Sequence, residues 1–84
     1  NIEELFTRFA LGVYTLTKTE YIIFHYYMEG YEIAQIPEIA FISMSTVKKH
    51  NRNIYEKLKV SSYNELMLYL DLFERCGRIS ELER

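Results

Sequence analysis

Lys48, Lys49 and Arg52 are the side chains in this sequence best placed to meet a partner. A guanidinium offers a planar fork of donors and an ammonium a compact charge, and both seek oxygen anions or base-edge acceptors. All three lie in SMSTVKKHNRNIYEKLK, Ser43 to Lys59. Ser43 is a good helix N-cap, and no Gly or Pro interrupts the residues that follow, so a helix of about four turns is expected. At roughly 100° per residue, Val47, Asn51, Ile54 and Leu58 share one side, with His50 at its margin. Ser45, Lys48, Lys49, Arg52 and Lys59 share the other. Such a helix rests on a small core and offers charge outward, as a helix that reads a nucleic-acid groove must.

Other chemistry finds no support. His25 and His50 fall on different segments, Cys76 is distant from both, and there is no glycine-rich phosphate loop or metal-ligand spacing. No enzyme, cofactor or metal site is expected. The formal charge of −2 speaks against nucleic acid until its distribution is considered. Residues 44–59 hold five of the ten Lys and Arg against one acid, Glu56, for a local net of +4, so the remainder carries −6. That segregation places positive potential on one element and repels phosphate elsewhere. A merely solvated helix face could give a similar count.

The elements that must hold this helix are readable in outline. Eighty-four residues, 49% hydrophobic, make one small ordered domain near the lower limit for a single core. No apolar run approaches the roughly 20 residues needed to cross a bilayer, and a lone cysteine suits a reducing, cytoplasmic setting. The sequence opens on Asn with no signal-peptide pattern, so a domain cut from a longer protein is expected, with membrane tethering of that parent left open. Asn1 to Gly12 reads as an amphipathic helix ended by Gly12, then a short extended lead-in, Val13 to Leu16. Thr17 and Glu20 have capping-box spacing for a helix reaching about Glu29, with Ile22, Ile23, Tyr26 and Tyr27 inward and Phe24 half covered. Tyr31 to Ala40 is a shorter helix, and Pro37 means that it either starts late, near Ile36, or bends. Phe41-Ile42 joins it to Ser43, which makes a helix-turn-helix. Ser62 and Glu65 form a second capping box for a helix to about Cys76. On that helix Leu68, Leu72 and Cys76 make an apolar stripe without a partner, either ordinary surface apolarity or a dimer seam. Residues 78–84 read as a fraying tail.

LTKTE at 16–20, Gly30, the string IxxxxxISxSTVKKHxxNIYxKLxV from Ile36 to Val60, and Glu65-Leu66 together resemble the LuxR-type (GerE-type) helix-turn-helix domain, without gaps over about fifty residues. The resemblance implies an all-α, four-helix bundle with an extra N-terminal helix: residues 1–12 as linker or added helix, 13–77 as the DNA-binding domain, 78–84 as tail. It implies that Lys48, Lys49 and Arg52 read bases, that Ser45, Thr46 and Asn53 lie near phosphates, and that Leu68, Leu72 and Cys76 pair two copies. Double-stranded DNA, a homodimer partner, RNA polymerase and an upstream receiver or ligand-sensing domain are the partners it suggests. Pro37 stands where the pattern prefers Ala, Ala40 where it prefers a larger aliphatic, Lys59 where Gly is common and Thr19 where Arg is frequent. None touches the reading face.

Three residues keep a second reading beside the first: Lys49 can meet a base or a phosphate, Thr46 can serve phosphate or the cap, and His50 the core or backbone as well as phosphate. Two rival functions also stay open. One is a sigma-factor-like promoter-binding domain, the other a protein-interaction module that kept the fold and lost DNA binding.

Overall fold

The computed structural model describes all residues, 1–84, and contains helices and no strand. Five α-helices follow one another: α1 (Ile2–Tyr14), α2 (Lys18–Met28), α3 (Ile36–Ala40), α4 (Met44–Leu58) and α5 (Tyr63–Arg75). Short 3₁₀ turns at Ile33–Gln35 and Ile79–Leu82 precede α3 and follow α5. The fold is the all-α helix-turn-helix bundle expected, with α1 added.

Local chemistry starts most of these helices. The Asn1 side chain accepts from the Glu4 N–H at 3.0 Å. Thr17 and Glu20 form the full reciprocal box, at 3.0 and 3.2 Å. Ser43 accepts from the Thr46 N–H at 3.2 Å and Ser62 from the Glu65 N–H at 3.1 Å. The box expected at Ser62 is only half made, because the Glu65 carboxylate takes the Ser61 hydroxyl at 2.9 Å instead of the Ser62 N–H. Pro37 resolves toward the late start. It sits in the first turn of α3, where a missing N–H leaves no bond unmade.

Three further expectations fail, each through tertiary contact. Gly12 does not end α1, which continues to Tyr14, so Val13 and Tyr14 are helical and not extended. A Cβ on Gly12 would lie 2.7 Å from the Lys57 carbonyl oxygen and 3.0 Å from Leu58 Cδ2. The glycine is there to let α1 cross the last turn of α4. On α2, Phe24 is fully buried and Ile22 exposed, because Ile23, Phe24 and Tyr27, not Ile22, face the bundle. The tail does not fray: Leu82 is buried, and the Arg84 guanidinium donates to the carbonyls of Val13 (2.8 Å) and Leu16 (2.7 Å). Arg78 lies 4.3 Å over the Phe6 ring and pairs with Glu3 and Glu81, each at 2.7 Å.

One apolar cluster joins these pieces. Val47, Ile54 and Leu58 supply the α4 side, Ile23, Phe24 and Tyr27 the α2 side, and Leu66, Leu70 and Phe73 the α5 side. From α1, Phe6 meets the Phe73 ring edge-on with centroids 4.7 Å apart, and Phe9 stacks on Tyr69 at 5.0 Å. Burial of these large rings is the main force that seats α1 on the bundle.

Candidate nucleic-acid interface

α4 is divided lengthwise. Its buried residues are Val47, Asn51, Ile54 and Leu58, and its exposed ones are Ser45, Lys48, Lys49, Arg52 and Glu56, with Lys59 exposed just beyond its end. Lys48, Lys49 and Arg52 enter none of the ion pairs of the fold. Lys48 and Arg52 line one shallow groove with Ile33, Asn51 and Tyr55, so the two cations share an edge of the helix. Lys49 lies further round it.

Lys57 is not on this face. Its ammonium donates to Glu20 Oε1 at 2.7 Å and to the Thr15 carbonyl at 3.2 Å. Glu20 is buried, and burial alone pushes its carboxyl up. The Lys57 hydrogen bond, the Thr17 N–H and the charge on Lys57 outweigh that and hold it below the usual carboxylate range. The outward charge is therefore carried by Lys48, Lys49, Arg52 and Lys59 against Glu56.

A second polar tie fixes the helix from beneath. The Tyr27 hydroxyl donates to Asn51 Oδ1 at 2.6 Å, with both residues buried. Burial, only partly opposed by that bond, drives the Tyr27 phenol upward, so it remains a neutral donor. Asn51 thus belongs to the inner side although it is polar. Sequence periodicity puts it there, but nothing local names Tyr27 as its partner.

The N-terminal turn of α4 gathers three hydroxyls. Ser43 Oγ lies 3.0 Å from Ser45 Oγ and 2.9 Å from Thr46 Oγ1. Thr46, half-buried, therefore supports the cap, while Ser45 stands exposed. Asn53 is half-buried on the flank beside Lys49. His50 is half-buried too, and its Nδ1 is buried with no hydrogen-bond partner, so the backbone bond expected for it is not made at that nitrogen. Leu68 on α5 (71% exposed) and Cys76 just past its end are open to solvent, whereas Leu72 is half-buried and packs against the core. The stripe read from the sequence is thus uneven.

Residues 14–70 match the family model GerE, described as bacterial regulatory proteins of the luxR family, and that span is well over half of the chain. This protein belongs to the LuxR family. Domains of this family are generally DNA-binding modules of transcription regulators. The family span holds α2 to α4, with Lys48, Lys49 and Arg52, and most of α5. Nearly all of α1 lies outside the matched span, as do Phe73 and Leu82, so the aromatic layer of Phe6, Phe9 and Phe73 falls beyond it. No curated protein and no solved structure matches the chain significantly. No helix of this LuxR-family chain is long and apolar enough to cross a membrane.

Proposed function

We propose that the chain is the sequence-specific DNA-binding domain of a bacterial transcription regulator, with α4 as the recognition helix in the major groove. Lys48, Lys49 and Arg52 read base edges. Ser45, Thr46 and Asn53 lie along phosphates, with the α4 N-terminus adding a favourable dipole. The observation that carries this reading is the division of labour among the cations of α4: Lys57 is consumed inside the fold, while Lys48, Lys49 and Arg52 are exposed and unpaired on one side. Membership of the LuxR family supports it over the sigma-factor alternative.

The DNA-binding unit spans residues 13–77, which the added helix α1 enters by two residues, and 78–84 are a tail folded back on it. Two copies pair through α5, with Leu68 and Cys76 at the seam and Leu72 at its inner edge. In the complete regulator an upstream regulatory domain governs this unit, RNA polymerase is a second protein partner, and the setting is the bacterial cytoplasm.

Titration of the 84-residue chain against mixed-sequence duplex at two salt concentrations tests the reading. Neutralising Z phosphates gives a slope of log K against log[salt] near −0.9Z. Absent or salt-insensitive binding would instead mark a protein-interaction module that kept this fold.

A further inference from the structure

Phe41 has an unusual position. It is 91% exposed, the most exposed of the large apolar side chains, and its backbone is left-handed, with φ 58° and ψ 44°. Left-handed backbone is a true outlier for a bulky residue, and Gly or Asn would adopt it more easily. Nothing in the fold offsets either feature. The ring is neither in the core nor packed against it, and it has no aromatic partner. The turn itself needs only the backbone: the N–H groups of Phe41 and Ile42 both donate to the Pro37 carbonyl. A strained, exposed aromatic that contributes nothing to its own domain points to a contact made outside it.

Its surroundings say what kind of contact. Phe41 stands two residues before the Ser43 cap, in the turn that leads into the end of α4 bearing Ser45, Thr46, Lys48 and Lys49. The other exposed large apolar residues (Ile2, Leu11, Tyr14, Ile22, Leu68) lie on α1, α2 and α5. A single apolar ring at the entry to a helix end that carries hydroxyls and cations is a poor seat for an apolar protein surface. It suits a polyanion that carries isolated apolar points, and in the major groove those points are thymine methyl groups, with which Phe makes direct contact.

We propose that Phe41 is a further base-reading residue, packing its ring on the 5-methyl group of a thymine at the edge of the α4 footprint. This rests on the DNA-binding reading above. The test uses the wild-type chain and Phe41→Gly on a duplex site selected from random sequence by the wild type. The glycine variant should unfold at a higher temperature, because the left-handed turn is relieved, and yet bind about fourfold more weakly, the ratio that burial of one methyl corresponds to. Its salt slope should equal that of the wild type, since no phosphate contact is lost. Replacing each thymine in turn by deoxyuridine should reveal one position where the wild type loses about fourfold and Phe41→Gly loses nothing. Unchanged affinity in Phe41→Gly, a shallower salt slope, or the lack of any such thymine overturns the proposal. Should the wild type bind no duplex, the DNA-binding reading itself fails. Should it bind with the expected salt dependence while Phe41→Gly matches it, only the assignment of Phe41 fails.

Discussion

Lys57 Nζ stands 2.7 Å from Glu20 Oε1, joining the last turn of α4 to the first turn of α2 across 37 residues of sequence. Glu20 is buried while Lys57 is one-third exposed, so removing the lysine strands a carboxylate that water only partly reaches. Lys57→Met should lower stability in urea by about 1–3 kcal/mol, solvent screening at the lysine keeping the loss below that of a fully buried pair. The salt slope of DNA binding should stay as in the wild type, because Lys57 lies off the outward face of α4.

The same contact sets a pH dependence. The Glu20 carboxyl in the fold lies below its ordinary value of 4.5, so its charged form is favoured by folding. Its contribution is fully present above that value and is lost as pH falls through the folded-state value. Between neutrality and about pH 3, wild-type stability should fall more steeply than that of Glu20→Gln, as chemical denaturation at each pH would register. Parallel curves would mean that Glu20 gains nothing from its partners.

Gly12→Ala separates helix propensity from packing. In an open helix the change would add roughly 1 kcal/mol of stability. Here the new methyl meets the Lys57 carbonyl at 2.7 Å, and backbone cannot swing away as a side chain can. A net loss of about 1–3 kcal/mol is expected in thermal or urea unfolding, and a gain would show that α1 does not cross α4 so closely.

Lys59 ends α4 with φ 60°. Lys59→Gly should raise stability by roughly 0.5–1 kcal/mol, the left-handed strain outweighing the added freedom of the unfolded chain. Thermal melts at matched ionic strength measure it.

Arg52→Ala should relax base preference, at about 1–3 kcal/mol of discrimination, whereas Thr46→Ala should weaken all sequences alike. Competition binding against varied duplexes compares them. Leu68→Asp is the cleaner probe of pairing than a change at Leu72, which also packs on the core. It should reduce self-association in sedimentation without loss of fold.

What the sequence disclosed follows the reach of the forces involved. The caps at Thr17, Ser43 and Ser62 are settled within a few residues, and each was readable. So was the sidedness of α4, because its apolar residues recur with one clear period. α2 is apolar on most of its circumference, and there periodicity chose Ile22 where the bundle chose Phe24. Gly12, the Glu20–Lys57 pair and the Tyr27–Asn51 bond depend on elements meeting across tens of residues, and no local pattern encodes them. The tail was misjudged for the same reason: its charges looked like solvated ends, yet Arg84 caps the carbonyls at the close of α1. Phe41 gave no hint, since its side chain argues against the backbone it adopts.

The close crossing at Gly12 has a mechanical result. With backbone set against backbone there, α1 cannot slide or roll without displacing the final turn of α4. The first helix is therefore keyed to the end of α4, so that the two must move as one piece at that crossing.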